Sequence, residues 1–152
     1  MIALSKSRFK QGLECPNKLY FSNNKEVYYN VKNNDPFLQA LASGGFQVEE
    51  YARLQYPGGV LIEDPQDRKI YDYQDLADQT SELLKQENVV IYEAAFYIDD
   101  LFIRTDVLVK KGTHIQLIEV KAKSLDPSEN YNFVGKSKKI VSSWKPYLFD
   151  LA

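Results

Sequence analysis

Thiol chemistry is almost missing from this chain, since Cys15 is the single cysteine in 152 residues. One thiol cannot build a disulfide framework within the chain, nor an iron–sulfur or zinc site that needs several thiolates. Cys15 itself reads best as a small buried apolar residue. Histidine is equally scarce: His114 stands alone, on the shoulder of a predicted hairpin, which argues against imidazole acid–base chemistry. No apolar run approaches membrane-spanning length, and the opening MIALSKSRFK is too charged for a secretory signal. The expectation is a cytoplasmic protein with no membrane partner. There is no Gly-rich phosphate loop and no Ser/His/Asp set, so nothing supports a nucleotide-cofactor enzyme or a serine hydrolase. A charge excess is lacking too. With 19 lysines and arginines against 21 acids the net charge is −2, and no global basic field advertises nucleic acid. A local basic patch beside an acidic site is still compatible with such a partner.

What is present fits one domain with a real core: 44% hydrophobic and 26% charged residues, with no internal repeat, low-complexity tract or linker. Ser5 is a natural N-cap for a short helix ending by Leu13, with Leu4 placed as a hydrophobic staple. Lys6, Arg8 and Lys10 on it read as a solvated face ahead of phosphate contacts. Asp35-Pro36 opens a helix from residue 37 to about residue 54, a cap followed by proline at the first helical position. Gly44-Gly45 in its middle costs about 1 kcal/mol per glycine relative to alanine, and so predicts a kink, a break or a close helix–sheet contact. Pro57-Gly58-Gly59 is a turn before a short strand at Val60, Leu61 and Ile62. A polar loop over residues 63–69 leads to an amphipathic helix from residue 73 to about residue 86, capped by Asp72 or Asp75. Beyond residue 123 the chain turns polar at Asp126-Pro127-Ser128, and a last helix starts near Trp144. Lys136, Lys138 and Lys139 form the only dense basic cluster, able to grip a nucleic-acid backbone although a solvated lysine run is the commoner explanation.

Residues 89–123 carry the chemistry. They read as three strands folded back twice, with Asp99-Asp100 as the first turn and Lys111-Gly112 as the second. Pairing Ile98 with Leu101 sets Glu93 opposite Asp106, with Cβ atoms about 4.5–5.5 Å apart. Pairing Lys110 with Thr113 sets Asp106 opposite Leu117, on the face that Glu119 and Lys121 share because strand side chains alternate. Ile118, Val120 and Ala122 then form a core face. Acids gathered among Ile91, Leu108 and Leu117 are costly to bury and raise one another's pKa unless a cation joins them. Magnesium prefers one or two carboxylates plus water and substrate oxygens, which Asp106 with Glu119 supplies. Lys121 would orient the attacking water or offset charge on phosphoryl oxygens. The competing reading is a hairpin whose polar face is simply wet.

Asp106, twelve residues, then Glu119-Val120-Lys121 resembles the D…(D/E)xK signature of the PD-(D/E)XK nuclease superfamily. The run from Ile118 through Lys123 looks most like its RecB-type branch, which includes CRISPR-associated exonucleases. The opening LSKSRFKQGLECPNKLYF, and Tyr51-Ala52-Arg53 leading into Tyr56-Pro57-Gly58-Gly59, are similar to an uncharacterised bacterial family of that branch. The resemblance implies an α/β fold with a restriction-endonuclease-like core, an antiparallel β-meander flanked by helices. It implies Mg²⁺ or Mn²⁺ bound by Asp106 and Glu119 with the Val120 carbonyl, and Lys121 as catalytic. An acid on the leading helix would join, by position Glu50 with Glu49 as the alternative, and Glu93 could add a ligand. The implied activity is hydrolysis of DNA phosphodiester bonds. The alternative is a non-catalytic module of the same fold that binds nucleic acid or protein. Three departures bear on this. The residue before Asp106 is Thr105 where the signature has proline, a replacement common in this branch. Cluster cysteines of some relatives are absent, so no iron–sulfur centre is expected. The Gln-x-x-x-Tyr element of RecB-type nucleases would follow about where the sequence stops, so the 152 residues are expected to be the N-terminal part of a longer protein whose missing piece would weaken activity.

Overall fold

Ser5 closes a two-residue strand, β1 (Leu4–Ser5), and caps the first helix, α1 (Lys6–Glu14), where its side chain accepts the Arg8 N–H. Leu4 thus extends a sheet. Cys15 is extended and half-buried, the joint between α1 and α2 (Pro16–Asn23), so the expected burial is only partial. The computed structural model describes residues 3–63, 72–124, 126, 128 and 133–149. After a 3₁₀ turn (Val31–Asn34), Asp35 caps α3 (Pro36–Leu54) by accepting the Phe37 and Leu38 N–H groups. The predicted start and end hold. The predicted break does not, because α3 runs unbroken through Gly44-Gly45, and a Cβ at either glycine would meet nothing within 4 Å.

The Pro57-Gly58-Gly59 turn leads to β2 (Val60–Leu61), and Asp72 caps α4 (Tyr73–Leu83). The predicted loop over residues 63–69 lies outside the described residues after Glu63. The meander follows as β3 (Asn88–Ile98), β4 (Leu101–Lys111) and β5 (His114–Ile118). A 3₁₀ turn (Ser142–Trp144) and the one-turn α5 (Lys145–Leu148) come last, the latter starting at Lys145-Pro146 as expected. Together these make a mixed α/β fold. Its five described strands form one sheet, in the order β1-β4-β3-β2, with β5 on β4 as well.

The first hairpin has the predicted register. Ile98 pairs with Leu101, Tyr92 with Val107 and Ala94 with Thr105, so Glu93 and Asp106 stand opposite each other. Asp99 and Asp100 both take left-handed φ, at 50° and 64°, as a type I′ turn demands. The second hairpin is displaced by two residues from the expectation. Gly112 opens the turn at φ 57° instead of closing it, Lys111 pairs with His114, and Leu108 instead of Asp106 faces Leu117. A two-residue slip keeps every side chain on its face. The ladder ends at Ile118, one step before Asp106 would meet Glu119. The expected core face of the third strand is not a buried one: Ile118 and Val120 are half-buried and Ala122 is exposed.

The core lies between α4 and the long hairpin. Leu76 packs with Ile62, Ile91, Ala94, Ala95, Phe102 and Leu108, and Tyr73 stacks on Phe102 at 4.2 Å between ring centres. Thr80 locks the helix to the sheet. It is fully buried, its Oγ1 accepts the Ala95 N–H at 2.9 Å, and it donates to the Leu76 carbonyl at 3.2 Å. Thr80→Val keeps the shape and orphans a buried N–H, so a loss of about 1–3 kcal/mol is expected. Thr80→Ser keeps the hydroxyl and loses only a methyl group. Chemical denaturation of both variants checks this, with Val clearly the less stable; equal stability would show that the hydrogen bond is immaterial.

Candidate functional site

β1 and β5 flank the same strand: β1 pairs with β4 at Leu101 and Phe102, β5 at residues 107–111. Asp106 sits between the two contacts. Ser5 then starts α1 at this place, which delivers Lys6 to it. Lys6 Nζ lies 2.8 and 3.0 Å from the two carboxylate oxygens of Glu119 and 3.3 Å from the Arg104 carbonyl. Lys121 Nζ reaches Glu119 Oε1 as well, at 2.5 Å. Glu119, only 8% exposed, is therefore held between two ammonium groups. The Val120 N–H donates to Asp106 Oδ2 at 2.5 Å. Burial raises the Asp106 carboxyl above its ordinary range and the Glu119 charge adds to this, while the Val120 N–H, Lys121 and Lys6 oppose it.

α3 meets the sheet on the other side of β4, through Tyr92 of β3 beside β2. The Tyr92 hydroxyl lies 2.5 Å from the Tyr56 carbonyl and 3.3 Å from that of Arg53, and accepts the Gly59 N–H at 3.3 Å. It thereby ties the turn that follows α3 to the sheet, where the Tyr56 N–H also donates to the Arg53 carbonyl at 3.0 Å. Gly59 is required by the same ring, because a Cβ there would fall 2.3 Å from Tyr92 Cζ. The segment from Tyr51 to Gly59 is thus the hinge that sets α3 on the sheet. From this hinge Arg53 reaches Glu93 Oε1 at 3.2 Å, and Arg104 reaches Glu93 Oε2 at 3.4 Å. Glu93 holds a left-handed backbone, φ 58°, in the middle of a strand. A non-glycine residue there is strained by roughly 1–3 kcal/mol, and the two guanidinium groups hold it in place.

Of the two candidate acids on α3, Glu49 is the one turned toward the sheet. Burial raises its carboxyl and the charges of Asp106 and Glu93 raise it further, with Lys121 and Arg53 opposing. Glu50 is 71% exposed and pairs with Arg53 one turn along. Of the expected pair, the alternative Glu49 and not Glu50 is therefore near the other acids; neighbouring residues on a helix point about 100° apart, and only a docked helix reveals its phase.

Asp106, Glu119, Val120 and Lys121 are brought side by side. Glu49 lies within electrostatic range, and Glu93 faces Asp106 across the hairpin with its carboxylate on arginines. Val120 meets the group through its N–H, where the resemblance names its carbonyl. Lys136, Lys138 and Lys139 are exposed on a separate loop closed by the Val134–Ile140 bridge. Lys6, Arg53 and Tyr92 were not legible as site residues. Lys6 depends on the parallel pairing of a two-residue strand, for which the sequence carries no signal.

A hard divalent cation takes oxygen donors. Asp106, Glu119 and Glu49 offer only those, and the two carboxyls raised by burial and mutual repulsion are ones that a cation would relieve. In chemical type the donors fit. In spacing, no three His, Cys, Asp or Glu side chains among the described residues are gathered closely enough to hold an ion, and Lys6 and Lys121 would have to yield Glu119 Oε1. A groove of about 370 Å³ lies elsewhere, lined by Asn88, Val89, Lys110 and Lys111 among others.

The raised Asp106 carboxyl makes a signed prediction. Folded Asp106 holds its proton more readily than unfolded Asp106, so its ionised form weakens the fold at neutral pH, and this penalty fades as pH falls through the raised range. Asp106→Asn keeps an acceptor for the Val120 N–H and carries no charge. In chelator, its melting temperature is expected to exceed that of wild type at neutral pH, with the gap closing on acidification. A variant less stable at neutral pH would contradict the assignment. The chain matches no family model, no curated protein and no solved structure to which it was compared.

Proposed function

We propose that the chain is a metal-dependent nuclease that hydrolyses phosphodiester bonds of nucleic acid, DNA foremost, on a restriction-endonuclease-like core of the PD-(D/E)XK type. One observation carries the reading: Asp106, Glu119 and Lys121, the three residues of the signature, adjoin at one sheet edge, with Lys121 on Glu119 and the Val120 N–H on Asp106. A wet polar hairpin face would not need Glu119 to be almost fully covered.

Asp106 and Glu119 would hold Mg²⁺ or Mn²⁺, with Glu49 rather than Glu50 as the acid from α3. When bound, the ion supplies a water of lowered pKa and polarises a phosphoryl oxygen. The residues of the chain do the rest. Lys121 presents an ammonium group where negative charge builds on the phosphoryl oxygens. Lys6 supplies a second positive charge from α1. Arg53 and Arg104 keep Glu93 from adding an unpaired charge beside Asp106. Lys136, Lys138 and Lys139 would contact backbone phosphates farther along the strand.

One observation favours the alternative, a non-catalytic module that binds nucleic acid or protein. Glu119 is already neutralised by two lysines, as a purely structural ion-pair network would be. Cleavage separates the two. With Mn²⁺ and labelled DNA, wild type is expected to cut, and Asp106→Ala and Lys121→Ala to lose at least about a hundredfold in rate with an unchanged circular dichroism spectrum. Equal cutting by both variants would exclude this site, and a wild type that binds DNA without cutting would favour the module.

A further inference from the structure

Charge is distributed unevenly along this chain. Residues 6–32 carry six lysines and arginines against two glutamates, while the remainder carries 13 basic residues against 19 acidic ones. The basic stretch is α1, α2 and the turn after them. Lys6 and Lys10 lie four residues apart and so share a face of α1, a row that starts at Glu119 and leads away from it. At the far end Lys18 pairs with Glu14, and Lys10 and Lys32 add positive field around that carboxylate.

The same segment displays aromatic rings. Asn24 accepts the Val27 and Tyr28 N–H groups on its carbonyl, and this turn folds Tyr28 back onto α2. Tyr28 meets Phe21 edge to face at 4.8 Å and Tyr20 at 6.0 Å, and Tyr20 meets Phe21 at 5.8 Å. All three rings are exposed, Tyr20 by 60%. Three mutually braced rings left in water, inside a stretch of net charge +4 in an acidic chain, suit a partner with both π-faces and negative charge. An unpaired polynucleotide offers stacking faces and phosphates at every step, the regular alternation that rings beside a row of lysines suit. Duplex DNA hides its base faces and would match the lysines alone.

We infer that Tyr20, Phe21 and Tyr28, together with Lys10 and Lys18 of the same two helices, form a stacking platform for single-stranded nucleic acid, from which α1 leads the strand to Glu119. This rests on the nuclease reading for its direction, though the platform can be tested without cleavage. α1 has nine residues and spans about 13 Å at the helical rise, the length over which its lysines would accompany the strand.

The test measures fluorescence anisotropy of a labelled oligothymidylate in chelator, on the whole chain and on Phe21→Leu/Tyr28→Leu. Affinity is expected to fall about tenfold or more, with the salt dependence retained because no cation is removed. Lys10→Gln/Lys18→Gln should instead flatten the salt dependence by about two phosphate contacts. A duplex of the same length should bind more weakly than the single strand and be insensitive to the ring substitutions; an oligouridylate arm reports whether the sugar matters. Equal affinity of the ring variant and wild type would overturn the platform. So would a wild-type dimer that the ring variant converts to monomer with unchanged oligonucleotide affinity, since the rings would then join two copies. If the ring variant fails to fold, photocrosslinking of wild type with an iodouracil oligonucleotide decides: crosslinks at residues 20–28 support the platform, and crosslinks confined to residues 136–139 overturn it. Strand binding that survives in Asp106→Ala without any cleavage by wild type would sink the nuclease reading and leave the platform standing. Cleavage that depends on Asp106 with unaltered binding in the ring variant would do the reverse.

Discussion

The carboxylate of Glu119 is the constraint around which the described structure closes. An ionised carboxylate almost removed from water costs several kcal/mol unless it is paired and hydrogen-bonded. Here the pairing comes from two directions, Lys121 two residues on and Lys6 from 113 residues back. Lys6 is in position only because β1 lies along β4, and Val120 meets Asp106 only because the chain leaves β5 at that point. The start of the chain, the middle strand and the exit from the meander are thus tied at one charged point. Removing either lysine would leave a buried charge short of a partner, whereas a divalent cation would satisfy the same carboxylate more strongly. The same geometry is a structural ion-pair network, and the proposed cation would have to displace both lysines from Glu119.

A second constraint is the seating of α3. No residue of this helix is fully buried, so its position depends on its C-terminal end more than on a packed face. The Tyr92 hydroxyl holds the turn after that end through the Tyr56 and Arg53 carbonyls, Gly59 leaves room for the ring, and Arg53 reaches across to Glu93. The strained backbone at Glu93 is held from both sides by Arg53 and Arg104. That hinge selects which glutamate of α3 faces the sheet.

What could be read from sequence follows how local each determinant is. Asp35-Pro36 and Ser5 fixed helix starts because a cap is a contact within three residues. Asp99-Asp100 fixed the first hairpin, and hence Glu93 opposite Asp106, because a two-residue turn determines a register. The second hairpin slipped by two because glycine serves at either turn position, and only the partner strand decides which. Glu49 over Glu50, and Lys6 in the site, were beyond reach for another reason: one depends on the phase of a docked helix, the other on a parallel pairing between residues nearly a hundred apart. The D…ExK spacing pointed to Asp106, Glu119 and Lys121 without help from the register, and these three are neighbours in the fold.

The central claim is that these neighbours form a cation site rather than a closed set of ion pairs. Calorimetric titration with Mn²⁺ tests it most directly, on wild type and on Glu119→Gln. The account predicts saturable binding to wild type with a stoichiometry of about one and none to the variant; absence of binding to wild type, or equal binding to both proteins, would contradict it.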